Sequence, residues 1–215
     1  YKAFHFEGID ELHSFLTNRD EIDYKSIGES MFEKQRVIVK ESLDEYYVKE
    51  NILDGQKLMD KWFPKINAHI FLSHSHADKD FVYSMAGFLY REFGLISFID
   101  SVVWGYADEL LRQVDQHCYD SVSKTYNYFM RNKTTSNIYL MLNNALYNMI
   151  DCTECIIFID TPNSVKKISE VLRDVTYSPW IYSELNLINK VRKVKPNRSI
   201  VKGFEKRSYT LNESV

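Results

Sequence analysis

Apolar positions change their rhythm twice along the chain. Up to about residue 65 they recur at helical spacing. Ile9, Leu12, Phe15 and Leu16 form one set, and Met31, Val37, Ile38, Leu43, Tyr46 and Tyr47 a second. Ile52, Leu53, Leu58, Met59, Trp62 and Phe63 form a third, stopped by Pro64. No strand is predicted in this part. From Ala68 the pattern shortens. His69-Ile70-Phe71-Leu72 is an apolar run followed by polar Ser73-His74-Ser75-His76-Ala77-Asp78, which reads as a buried strand ending in a loop. Phe81, Met85, Phe88, Leu89 and Phe93 then mark a helix closed by Gly94. Leu95 to Ile99 is a second strand, ending at Asp100. Strand, helix and strand in this order predict a βαβ unit and a parallel sheet.

Beyond Asp100 the pattern loosens. A helix is expected from near Asp108, with Leu110, Leu111, Val114 and Cys118 as its stripe. Ser136 to Ile150 is expected to be another, and Glu154 to Asp160 a third, central strand. A polar stretch from Lys166 to Thr176, with room for one short helix, leads to Ser178-Pro179. Serine is a favoured N-cap and proline suits the first helical position. Ile181, Leu185, Ile188 and Val191 give that helix a packing face, and Trp180 and Glu184 are stacked on its first turn. Arg198 to Val201 reads as a fourth strand. The expected fold is α/β, a central parallel sheet flanked by helices over residues 66–215, with an N-terminal helical extension over residues 1–65. Ligands of open parallel sheets bind outside the carboxyl ends of the strands. The loops Ser73–Asp78, Asp100–Tyr106 and Asp160–Pro179 should therefore gather at one edge, with Trp180 and Glu184 beside them.

Composition narrows the classes. The chain has 215 residues, 45% hydrophobic and 27% charged, as in ordinary globular proteins. A net charge of −3 argues against nucleic-acid binding as the main role. No apolar run has the length of a membrane span, and no signal peptide is recognisable. Three cysteines make no disulfide framework, so a reducing cytoplasm is expected.

Candidate chemistry is sparse. His74-x-His76-x-Asp78 is similar to the metal-binding run of metallo-β-lactamase-fold hydrolases. Lys79 stands where that run carries a further histidine, and only His117 follows downstream, so no metal site is expected. The ordinary reading is a polar loop in which Ser75 or Asp78 caps the next helix. Cys152-x-x-Cys155 lacks the second pair of a zinc site and leads into a strand, so both are expected to be reduced thiols. Glycine-rich dinucleotide and P-loop motifs and G-x-S-x-G are absent. Glu184 could be no more than a first-turn carboxylate, worth about 0.3–1 kcal/mol against the helix dipole. Trp180 alone would be a packing residue.

Three pieces in order change that balance. Ile70-Phe71-Leu72-Ser73-His74-Ser75-His76-Ala77-Asp78-Lys79-Asp80 resembles the opening strand and loop of TIR (Toll/interleukin-1 receptor) domains. Leu95 to Asp100 resembles their second strand, which leads to the BB loop. Ser178-x-Trp180-x-x-x-Glu184-Leu185 resembles their S-x-W-C-x-x-E-L box, with Ile181 in place of the cysteine. The resemblance covers roughly residues 66–205 and implies a flavodoxin-like fold. It also implies cleavage of NAD⁺, as substrate rather than cofactor, at the nicotinamide–ribose bond. In that reading Glu184 is catalytic. Trp180, Ser73, His74, Ser75, Asp78 and Asp100 border the substrate, and Trp104 and Tyr106 belong to the BB loop. Homo-oligomers built through TIR–TIR contacts are implied, as is a role in bacterial antiphage defence of the Thoeris type. There the enzyme depletes NAD⁺ or makes an ADP-ribose-derived signal for a downstream effector protein. Competing expectations are a non-enzymatic TIR interaction module, a metallohydrolase, and a nucleoside 2-deoxyribosyltransferase-like enzyme.

Overall fold

The structure, a computed structural model, describes residues 2–6, 9–17, 22–35, 43–49, 52–99, 109–116, 118–167, 174–175 and 179–190. In chain order these form β1 (Lys2–Phe6), α1 (Ile9–Thr17), α2 (Tyr24–Gln35), β2 (Tyr47–Lys49), β3 (Ile52–Leu53), α3 (Gly55–Trp62), β4 (Ile70–Ser73) and α4 (Lys79–Phe93). There follow β5 (Ser97–Ile99), α5 (109–116), β6 (Tyr119–Asp120), β7 (Thr125–Tyr126), α6 (Tyr128–Cys152), β8 (Cys155–Ile159), β9 (Lys166–Lys167), β10 (Asp174–Val175) and α7 (Pro179–Lys190).

Among the described residues four strands form the central sheet in the order β1-β8-β4-β5, all parallel. The molecule is thus mixed α/β with helices on both faces, as expected. β4 shows why both faces are covered. Phe71 joins the aliphatic and aromatic core beneath α3, α5 and α6, with Phe98, Leu110, Leu142, Leu146, Ile150 and Ile156. Its neighbours Ile70 and Leu72 point the other way, into the core under α1, α2 and α4 with Leu16, Tyr24, Phe81, Val82 and Met85. Successive strand residues alternate between faces, so a strand buried on both reads as one apolar run. Each such large side chain contributes about 1.5–3 kcal/mol on burial.

Helix ends follow local chemistry. Asp54 accepts from the Lys57 amide at 3.0 Å and starts α3. Asn127 accepts from the Met130 amide at 3.0 Å and starts α6. Gly94 ends α4 as expected, in the left-handed region at φ 68°, with Leu95 N–H donating back to Leu89 O at 3.2 Å.

The N-terminal part departs from the helical expectation. Residues 2–6 are a strand of the central sheet, aligned from Lys2 opposite Cys155 to Phe6 opposite Ile159. Tyr47–Lys49 and Ile52–Leu53 pair antiparallel rather than continuing helices. α2 docks directly on α4 through two glycines. A Cβ on Gly28 would meet Tyr83 O at 1.9 Å, and one on Gly87 would meet Tyr24 O at 1.9 Å. Tyr24 Oη also donates to Glu92 at 2.8 Å. From the end of α2, Gln35 Nε2 donates to the Ser97 carbonyl on β5 at 2.6 Å.

Two further differences lie later in the chain. α6 begins eight residues before Ser136, at the Asn127 cap. The Tyr-rich segment before it is the β6–β7 hairpin, its turn held by Asp120 accepting from the Val122 amide and the Ser123 hydroxyl. The polar stretch after β8 carries the short antiparallel pair β9–β10. The strand expected at 198–201 lies outside the described residues.

Candidate functional site

The chain's path through the sheet marks the place where a doubly wound fold is expected to bind a ligand. From β4 it passes along α4 to β5 on one side. From β5 it returns through α5 and α6, on the opposite face, to β8 on the other side of β4. The direction of winding therefore reverses between β4 and β8. In doubly wound sheets, the carboxyl ends of the strands at such a reversal open into a crevice where ligands bind. Here those ends carry Ser73 and the loop to Asp78, and Asp160 to Ser164.

α7 brings Glu184 to this point. The helix starts at Pro179, as its fixed φ and missing N–H favour. Ile181 is buried, and Leu187 and Ile188 lie against the core on the α6 side. Ser183 Oγ donates to Asn143 Oδ1 on α6 at 2.7 Å. On the same helix Glu184 is fully buried. It accepts a hydrogen bond from Ser73 Oγ at 2.5 Å, and Ser73 is fully buried too. The bond joins the last residue of β4 to α7. The distance is at the short end of the range for O–H···O hydrogen bonds. A surface carboxylate serving only the helix dipole would be solvated, and burying it would cost several kcal/mol.

The remaining candidates have separate surroundings. His74 is buried, with Nδ1 3.2 Å from Leu72 O. Ser75 is half-buried and His76 is exposed. Neither Ser75 nor Asp78 makes the expected side-chain cap. Asp78 instead reaches across to the β8 loop, where Thr161 Oγ1 donates to its Oδ2 at 2.5 Å and Asn163 Nδ2 to its Oδ1 at 2.7 Å. Trp180 is on the first turn of α7, and its side chain lies outside the described part. Asp100, Trp104 and Tyr106, like Ser178 and His117, lie outside the described residues.

Thr161, Asn163 and Ser164 were not singled out from the sequence. The amides of Asn163 and Ser164 both donate to Thr161 Oγ1 at 3.1 Å, and the Thr161 amide donates to Ser164 Oγ at 2.8 Å. The signal was the run Thr161-Pro162-Asn163-Ser164 directly after a strand, since such side chains bond to nearby backbone and build turns.

No protein-family model matches the chain, and neither does any curated protein or solved structure.

Among the described residues no three His, Cys, Asp or Glu side chains gather as a metal site, and no helix is long and apolar enough to cross a membrane. Cys152 is exposed at the end of α6, whereas Cys155 opens β8 half-buried, and burial pushes its thiol pKa up. The thiolate is the reacting species. Under native conditions at neutral pH iodoacetamide is expected to label Cys152 first, and Cys118 and Cys155 only after unfolding. Peptide mapping by mass spectrometry checks this. Labelling of Cys155 at the rate of Cys152 would contradict the assigned burial.

Proposed function

We propose that the chain is a TIR-type NAD⁺ glycohydrolase or ADP-ribosyl cyclase acting at the nicotinamide–ribose bond, with Glu184 as the catalytic carboxylate. The observation that carries this reading is the buried Ser73–Glu184 hydrogen bond at the point where the sheet's winding reverses. It holds an acid, away from bulk water, beside the crevice where a dinucleotide would lie. The order of the motifs supports the same reading: a strand ending in Ser73-His74-Ser75-His76-Ala77-Asp78, then Trp180-x-x-x-Glu184 on a later helix.

The chemistry suits one carboxylate. Nicotinamide in NAD⁺ is cationic and leaves with the bonding electron pair as a neutral molecule, so it needs no protonation. The ribose C1′ develops positive charge, as in glycoside hydrolysis. A preorganised carboxylate stabilises that charge. Water, or a nucleophile of the ADP-ribose itself, then bonds to C1′ and releases a proton. Ser73 would hold the carboxylate in place, and Trp180 would offer an aromatic face at the crevice. The family resemblance extends this to homo-oligomeric assembly and to antiphage defence in the cytoplasm, with a downstream effector reading the product.

NAD⁺ turnover by the purified protein, at concentrations that permit assembly, tests the proposal. Nicotinamide release is expected. Oligomerisation with NAD⁺ left intact would favour a TIR interaction module. Nucleoside cleavage without NAD⁺ cleavage would favour the deoxyribosyltransferase-like alternative. Ser73→Ala provides a finer check. It removes the Ser73 hydrogen bond to buried Glu184 Oε2, at a cost of about 1–3 kcal/mol. Turnover is expected to fall roughly tenfold or more. Unchanged turnover and unfolding midpoint would show that the bond is unimportant.

A further inference from the structure

We infer that Asp78 is a positioning residue that clamps the 161–164 turn against the β4 loop and thereby sets the width of the ligand crevice. The geometry has three parts. Both Asp78 oxygens accept from the β8 loop, one from the Thr161 hydroxyl and one from the Asn163 amide group. The Thr161 oxygen that donates to Asp78 also accepts from the Asn163 and Ser164 amides, so the clamp and the turn share one atom. Ser164 Oγ, in turn, lies within donating distance of the Ile159 carbonyl at 3.1 Å and the Thr161 carbonyl at 3.0 Å. The turn is thereby fastened to the end of β8. The two loops that Asp78 joins are the two that flank the reversal of winding, so their separation is the width of the crevice. None of these hydrogen bonds involves Glu184. Asp78 acts on where a ligand sits, while Glu184 and Ser73 act on the bond that breaks.

For its ligand this inference rests on the NAD⁺ reading. Asp78→Asn keeps the volume but replaces one acceptor with a donor facing Thr161 or Asn163. The expected result is a rise in KM for NAD⁺ of roughly tenfold or more, with kcat within about threefold, because the clamp contributes charge-assisted hydrogen bonds. Backbone amides of Thr161, Asn163, Ser164 and Val165 are expected to exchange hydrogen about tenfold faster through local opening, while those of β8 are unchanged. Thr161→Val is expected to reproduce the KM effect. Thr161→Ser, which keeps the hydroxyl, should stay near wild type, which separates the clamp from simple loss of packing. Unchanged exchange at Thr161, Asn163, Ser164 and Val165 in Asp78→Asn would overturn the clamp whatever the protein does to NAD⁺. Faster exchange with an unchanged KM, or a fall confined to kcat, would overturn its role at the crevice. If the wild-type protein leaves NAD⁺ intact, that result counts against the activity, and the exchange experiment alone decides the clamp.

Discussion

Glu184→Gln is expected to lower nicotinamide release from NAD⁺ by about 10²–10³-fold, the loss typical when one preorganised electrostatic group is removed from a catalytic site. The fold should survive. Glutamine matches glutamate in size, and its amide oxygen can still accept from Ser73 Oγ, which lies 2.5 Å from the carboxylate in the native protein. A neutral amide, however, cannot stabilise positive charge developing at C1′. The variant therefore separates charge from shape. An unfolding midpoint close to wild type with lost turnover is the expected pair of results. Full turnover in Glu184→Gln would remove the residue from the mechanism. Lost turnover together with a collapsed midpoint would assign Glu184 to the core instead.

The second large effect is on stability. Gly28→Ala or Gly87→Ala is expected to destabilise the protein by about 3 kcal/mol or more, at or beyond the upper end of overpacking costs. Two effects compete here. Alanine favours a helix over glycine by about 1 kcal/mol. Against that, the new methyl group would lie 1.9 Å from a backbone carbonyl of the facing helix, Tyr83 O or Tyr24 O. A carbonyl within a helix cannot swing away as a side-chain tip can, so α2 must lift from α4. For a chain of this length the midpoint should fall by roughly 6–12 °C. Differential scanning calorimetry of either variant is the check. A midpoint at or above wild type would mean that the helices do not meet at these glycines.

The same glycines show where sequence reading stops. β4, β5 and β8 were legible because both faces of each strand are buried, which leaves short apolar runs with polar ends. α4 was legible from Phe81 to its Gly94 cap. β1 was not, because Lys2-Ala3-Phe4-His5-Phe6 alternates over only five residues and its partner, β8, is far along the chain. Gly28 and Gly87 carry no hydrophobic signal, so the docking of α2 on α4 could not be read from periodicity.

The site divides in the same way. Ser73 and Glu184 were each legible, one at a strand end and one on a capped helix turn. Their hydrogen bond spans much of the chain and follows only from how the sheet is wound. Asp78 borders the substrate in the family resemblance and, like Ser75, has the spacing of a local helix cap, but tertiary partners on the β8 loop take both of its oxygens. Local propensity yields there to a charge-assisted network.

The most direct test of NAD⁺ cleavage at the nicotinamide–ribose bond is mass spectrometry of the products formed when the wild-type protein is incubated with NAD⁺. Free nicotinamide is expected in equal amount to an ADP-ribose species, whether linear, cyclic or conjugated. Intact NAD⁺ after incubation with folded, concentrated protein would contradict that cleavage.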